Sequence, residues 1–344
     1  MIKRIKILAT GALLLAGLGA CSPSGKKTGA DSTVDTLRTA ETVNLLNNLR
    51  KVPTQGIMFG HHDDPLYGVG WEGDEDRSDV KSVCGDYPAV MSFDLGHIEL
   101  EREKSLDNVP FRKIRQETIN QYKRGGVVSF SWHLDNPLTG KDAWDVSDTT
   151  VVASILPGGV HHAKFISWLD AVAAFMNTLE TEEGTKIPVI FRPWHEHTGS
   201  WFWWGQNLCT ADQYKALWRM THDRMHARGV KNLLYAYSPG SEPKDSTAYL
   251  ERYPGDDIID LVGFDTYQFD RTQYMEQLDK SLAILTEVGK AHDKPIAITE
   301  TGFEAIPDSV WWTQTLYPVI SKYPISYVLV WRNARERVNH YYAP

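Results

Sequence analysis

Cysteine is scarce, three in 344 residues, which is too few for a disulfide framework to stand in for a core. Basic charge is also in deficit. Lys and Arg number 36 against 44 Asp and Glu, a formal net charge of −8, so nothing concentrates the cations that neutralise nucleic-acid phosphates. The apolar run from Ile7 to Leu18 is too short to span a bilayer. No glycine-rich phosphate cradle follows any candidate strand, and the Gly-x-Ser-x-Gly and His-Glu-x-x-His patterns are missing. Nucleotide binding, serine-hydrolase chemistry and a helical zinc site therefore find no support.

Apolar residues, at 42%, are plentiful enough for a sizeable core, which excludes a disordered or fibrous chain. Aromatic residues are abundant, with 12 Trp, 15 Tyr and 11 Phe. Most such rings pack a core, but they also stack well on the flat C–H faces of sugars.

The first twenty residues are an address. A basic segment, Met1-Ile2-Lys3-Arg4-Ile5-Lys6, precedes the short apolar run, the pattern of a secretory leader. Leu18-Gly19-Ala20-Cys21 resembles the bacterial lipobox, in which the cysteine is acylated and becomes the mature N-terminus. Cys21 is thus the expected lipidation site and the chain's sole tie to a membrane. The residue after it is not Asp, which by resemblance to Gram-negative lipoproteins implies the cell envelope, at the outer membrane. Residues 21–39 begin Gly-, Pro- and Ser-rich and read as a flexible tether, and 40–344 as one catalytic domain. Cys84 and Cys209 remain, and the sequence leaves open whether they pair.

Past the tether, eight short apolar runs recur, each followed by a polar loop and usually a helical pattern. They lie at 56–59, 89–93, 127–130, 187–191, 233–237, 258–264, 295–298 and 327–330. Continuous rather than alternating apolar runs suit parallel strands buried on both faces. Amphipathic helices are expected over Phe165 to Leu179, Asp212 to Arg228 and Tyr274 to Ala291. Eight such units fit a (β/α)8 TIM barrel better than a doubly wound sheet. Only Trp331 to Pro344 follow the eighth run, so a closing helix of normal length does not fit; either that helix is absent or the chain stops short of the full gene product.

In a (β/α)8 barrel the chemistry sits at the C-terminal ends of the strands. Those positions hold His61-His62-Asp63-Asp64, Asp94, His133, Glu196, Ser238, Asp265 with Tyr267, Glu300, and Trp331 with Arg332. Carboxylates, imidazoles and aromatics together suit glycosidic-bond cleavage, which needs one carboxylic acid for the leaving oxygen and one carboxylate to attack or to activate water. Glu196, placed at the end of the fourth strand, and Glu300, on the seventh, should face each other across the barrel mouth. A metal is not expected. His195-Glu196-His197 alternates as on a strand, so its two imidazoles would share a face but lack a third ligand.

Arg192-Pro193-Trp194-His195-Glu196-His197-Thr198-Gly199-Ser200-Trp201-Phe202-Trp203-Trp204 resembles the acid/base signature of glycoside hydrolase family 26, a family dominated by β-mannanases, and Ile298-Thr299-Glu300-Thr301-Gly302 resembles its nucleophile strand. The resemblance implies a retaining mechanism, with Glu300 as nucleophile and Glu196 as acid/base, their carboxyls at the short separation of about 5–5.5 Å. Trp194, Trp201 and the Glu300 charge are expected to raise the pKa of Glu196. The family further implies that Tyr267 aims the nucleophile, that His195 bonds the sugar or the nucleophile, and that His133 and Trp201 contact the sugar. Trp331 would form the sugar platform and Arg332 would reach a neighbouring subsite. His61 or His62 is expected to line the glycone side and Trp144 to wall a subsite, whereas His161-His162 falls in a loop. The expected substrate is β-mannan as polymer or oligosaccharide, acted on by a monomer without cofactor, metal or nucleic acid. Mixed-linkage β-glucan or xylan, exo-release of mannobiose, and capture of glycans without cleavage are the alternatives.

Overall fold

The computed structural model describes residues 38–336 and 339–343. The leader of residues 1–20, Cys21 and the tether as far as residue 37 lie outside the described residues. All eight apolar runs form strands: β1 (Met58–His62), β2 (Val90–Asp94), β3 (Val127–Ser131), β4 (Val189–Arg192), β5 (Leu233–Tyr237), β6 (Leu261–Tyr267), β7 (Ile296–Gly302) and β8 (Ile325–Val330). They pair in parallel in chain order, and β8 closes against β1. The fold is the expected (β/α)8 barrel.

Alternation along the strands separates two apolar populations. Val90, Val127, Ile190, Leu234, Leu261, Ala297 and Tyr327, with Met58 beside them, pack together inside the barrel. Their neighbours, such as Met91, Val128, Val189 and Ile298, pack into the layer shared with the helices. Helix α1 (Ala40–Lys51) brings Leu45, Leu46 and Leu49 against the inner cluster and so closes the N-terminal end of the barrel. Its N-cap is Thr39, and Arg38 pairs with Asp260 at 2.7 Å, so the last two residues assigned to the tether belong to the fold.

The outer layer is uneven. It comprises α2 (Asp79–Cys84), α3 (Phe111–Lys123), α4 (Val151–Ile155), α5 (His162–Asn177), α6 (Ala211–Ala227), α7 (Ser246–Leu250), α8 (Arg271–Ala291) and α9 (Tyr317–Ile320). The units after β1 and β5 carry only short helices, and after β7 a π-helical segment, Trp312–Leu316, runs directly into α9. His162 opens α5 and His161 is its N-cap, which corrects their placement in the loop. No helix follows β8 among the described residues. The chain instead folds back, and Asn333 Oδ1 accepts from the backbone N–H groups of Tyr342 and Ala343 at 2.8 and 3.0 Å. Tyr342 lies so close to Gly302 that a Cβ there would run into its ring. Cys84 is exposed, Cys209 is buried, and neither is in a disulfide.

One irregularity decides the site. Phe264 of β6 pairs with Ile298, but the next residue, Asp265, pairs with Glu300. On the other flank Val328 pairs with Ile298, and Val330 with Thr301. Strand β7 therefore carries one extra residue, a β-bulge of the kind that re-aims side chains beside active sites. Without it Glu300 would share the outward face of Ile298. With it, Thr299 and Glu300 both point to the barrel axis, and Thr301 turns outward to Tyr274 at 2.6 Å.

Candidate active site

Above the apolar layer the barrel interior turns polar. Arg192, the last residue of β4, is fully buried and forked. Its Nη1 donates to Asp265 Oδ2 at 2.7 Å and Ser238 Oγ at 3.1 Å, and its Nη2 donates to Glu300 Oε1. Thr299 Oγ1 donates to the other oxygen of Asp265 at 2.6 Å. Tyr267, at the end of β6, donates to Glu300 Oε2 at 2.8 Å. Burial works against the guanidinium charge, but Asp265 and Glu300 outweigh it and raise the Arg192 pKa.

Glu196 is not on a strand. The chain leaves β4 at Arg192, and Trp194 and Glu196 both adopt left-handed backbone, with φ of 58° and 52°. Such conformations cost about 1–3 kcal/mol each in a residue other than glycine and need support from their surroundings. Glu196 N–H donates to Ser238 O at 2.8 Å, Tyr214 OH to Trp194 O at 2.7 Å, and Trp204 Nε1 to His195 O at 2.9 Å. The turn aims Glu196 at the axis, where a carboxylate oxygen of Glu196, of Asp265 and of Glu300 all lie within 4.8 Å of one another.

Burial lifts the pKa of Glu196 to about 7, and the Glu300 charge adds to the shift. The part expected of the two tryptophans needs correction. Trp201 Nε1 donates to Glu196 Oε2 at 2.7 Å, which favours the carboxylate and opposes the rise. Trp194 points the other way, into a core cluster with Trp132 and Trp203, and bonds Thr221 at 3.2 Å.

The histidines are more buried than expected. His133 Nδ1 lies 2.7 Å from Asp94 Oδ2, and Asp94 also accepts from Ser131 Oγ at 2.6 Å and Gly96 N–H at 2.7 Å. Burial opposes protonation of His133, but Asp94 outweighs it and raises the pKa. His195 is buried and faces His133, with their Nε2 atoms 3.0 Å apart. His197 does not share its face, because the segment is a turn, and its ring lies between Tyr214 and Tyr237. His61 and His62 are both buried, and His62 lies under Trp331 with ring centroids 4.2 Å apart. Trp331 itself is only partly buried. Trp144 stacks on His133 at 5.4 Å with half its surface exposed. Arg332 is held by Asp107 and the Tyr67 hydroxyl, each at 3.3 Å.

Arg192 had no assigned role, and Tyr67 and Asp107 were not singled out. Only Arg192 left a signal, a charge ending an apolar strand that burial obliges to be paired. Among the described residues, two triads have metal-compatible spacing, Glu196–Asp265–Glu300 and His62–Asp63–Asp107. An arginine already sits against each, Arg192 and Arg332, and supplies the positive charge. Beyond Glu196, a cleft of about 910 Å³ opens between the loops that follow β4, β5 and β6.

A family model described as Glycosyl hydrolase family 26 matches residues 34–330. A mannan endo-1,4-beta-mannosidase of Bifidobacterium adolescentis is 35% identical over 320 residues, covering 86% of this chain and 31% of that protein. One of Bacillus subtilis is 28% identical, covering 96% and 89%. The chain spans about a third of the first of these relatives and 54% of a further one, from Caldalkalibacillus mannanilyticus. A solved GH26 beta-mannanase from Bacteroides ovatus is 64% identical, covers 89% of each chain and superposes with a TM-score of 0.89. A Cellulomonas fimi endo-beta-1,4-mannanase double mutant is 32% identical with a TM-score of 0.82, covering 90% of this chain and 72% of that one. With the match running from before α1 to the end of β8, the chain belongs to glycosyl hydrolase family 26.

Proposed function

We propose that the chain is a retaining endo-β-1,4-mannanase. The observation that carries this is the approach of the Glu196 and Glu300 carboxylates to within 4.8 Å. That is the short spacing of retaining enzymes, and it leaves no room for the water that inversion requires at about 6.5–9.5 Å. Glu300, oriented by Arg192 and Tyr267, attacks the anomeric carbon as the C1–O bond breaks. Glu196, protonated at rest through its raised pKa, delivers its proton to the departing oxygen. A water then enters, Glu196 takes its proton, and the hydroxide oxygen displaces Glu300 from C1. Two inversions give net retention.

Mannan as substrate is supported by the similarity to the mannanases of Bacillus subtilis and Bacteroides ovatus. Initial rates on carob galactomannan, lichenan and xylan test it, with the galactomannan expected to be cut fastest. A faster rate on lichenan or xylan would overturn the assignment. Acylation at Cys21 and an envelope location rest on the lipobox resemblance of Leu18 to Cys21. Cys21→Ser should move the enzyme from the membrane fraction to the soluble one, and an unchanged distribution would refute the anchor.

A further inference from the structure

Tyr267 fixes one oxygen of Glu300, and its ring is braced by a segment to which no role has been given. After β8 the chain returns, and residues 340–342 pack against the end of β7 and the loop that follows it. Several bonds seat them there. Beyond accepting from Tyr342 and Ala343, buried Asn333 donates from Nδ2 to Ala343 O at 3.0 Å and to Asp79 Oδ2 at 2.8 Å. Tyr341 O accepts from Ala305 N–H at 2.9 Å, and His340 O accepts from Ala334 N–H at 2.7 Å. His340 Nδ1 lies 2.6 Å from Glu304 Oε1. Ala305 and Ile306 adopt left-handed backbone, with φ of 61° and 38°, which a β-branched residue holds only where its surroundings impose it. The bond to Tyr341 is one such support.

This anchorage presents one ring. Tyr342 is 8% exposed and stands edge-on to Tyr267, with ring centroids 5.8 Å apart and planes at 70°. Aromatic pairs favour that geometry. The same ring lies against Gly302, two residues past Glu300, where only a glycine leaves it room. Burial pushes its hydroxyl pKa up to about 12, and the charges of Glu304 and Glu300 add to the shift, so the ring is neutral at pH 7.

We propose that Tyr342 is a positioning residue for the nucleophile, acting through Tyr267. The proposal rests on the roles given to Tyr267 and Glu300. Tyr267 bears its hydroxyl at the far end of its ring, so a small tilt of the ring displaces the oxygen that donates to Glu300. Tyr342 opposes that tilt, because Asn333 fixes its backbone and Gly302 its ring.

Tyr342→Leu removes the ring, and its effect is read on an aryl β-mannobioside. Loss of an edge-on aromatic contact should lower kcat by about 3- to 10-fold, with KM within about twofold of wild type. Tyr342→Phe keeps the ring and should restore kcat to within about twofold of wild type. In a Tyr267→Phe background, where the aimed hydroxyl is already gone, Tyr342→Leu should cost almost nothing further. A merely structural role would lower kcat by the same factor in both backgrounds. That result, a loss that Tyr342→Phe does not restore, or an unchanged kcat in Tyr342→Leu overturns the proposal. Should the leucine variant fail to fold, Tyr342→Met, which fills much of the volume without a ring, is held to the same outcomes. Wild-type turnover in Glu300→Ala would instead sink the nucleophile assignment itself, a result that no Tyr342 variant can produce.

Discussion

The Tyr267 hydroxyl lies 2.8 Å from Glu300 Oε2, on the oxygen that Arg192 leaves free. Each oxygen of the candidate nucleophile therefore has its own donor. The pair exists because the bulge in β7 swings Glu300 into line with β6. A carboxylate with both oxygens fixed loses little orientational freedom when one of them attacks.

Tyr267→Phe removes one charge-assisted hydrogen bond without changing the volume of the ring. Such bonds contribute about 1.5–3 kcal/mol, so kcat on an aryl β-mannobioside should fall by about 10- to 100-fold with KM little changed. An unaltered kcat would show that Arg192 alone aims Glu300.

Trp201→Phe acts on the proton. The indole N–H stabilises the ionised form of Glu196 and holds its pKa down against burial and the Glu300 charge. Removing it should push the pKa above about 7 and move the alkaline limb of the kcat/KM profile to higher pH. A shift to lower pH would contradict the assignment of Glu196 as acid.

The same raised pKa sets a stability trend. A folded-state pKa of about 7 lies above the ordinary glutamate value, so the folded protein binds the proton more tightly than the unfolded chain does. This contribution is fully present below about pH 4.5 and is lost as pH rises through about 7. Glu196→Gln, neutral at every pH, should melt higher than wild type at pH 8 and gain less at pH 5. Equal gains at both pH values, read by calorimetry, would refute the linkage.

The barrel was legible in the sequence because strands buried on both faces must be apolar throughout, and all eight such runs became strands. Their ends were less legible. β1, β6 and β7 continue through polar residues that read as loop, because His62, Asp265 and Glu300 stay buried among partners the chain brings from elsewhere. Glu196 was placed on a strand because the signal was its nearness to an apolar run, while the left-handed turn at Trp194 and Glu196 depends on acceptors and donors in β5 and α6. The bulge was invisible, since register is a relation between strands. His195 and His197 looked equivalent by spacing and differ because a turn sends them to separate pockets.

Arg192 tests how far the site is held by charge. Removing it leaves Asp265 and Glu300 buried without their shared cation, and breaking a buried pair in this way costs about 3–5 kcal/mol. Arg192→Met should be destabilised by that order in urea, as well as inactive. Arg192→Lys should recover only part of it, because a single ammonium cannot fork to Asp265, Ser238 and Glu300 together. Wild-type stability in Arg192→Met would show that the carboxylates accommodate each other by sharing a proton.

Asp94 is the more distant lever. It touches neither candidate carboxylate, yet it accepts from Ser131, Gly96 and His133, and His133 faces His195. Its negative charge is what lifts the His133 pKa against the penalty of burial. Asp94→Asn keeps the shape but replaces a carboxylate oxygen with a neutral amide, so His133 should titrate at lower pH, and its preferred tautomer loses its charged partner. Supporting groups one step from the reacting atoms typically change activity by about 10- to 100-fold in metal sites, and a fall in kcat of about tenfold is expected for Asp94→Asn. The decisive readout is the His133 ring resonance followed against pH. A merely structural role for Asp94 would lower activity through unfolding and leave the His133 titration of the folded fraction where it was, whereas electrostatic coupling moves that titration in the folded protein itself.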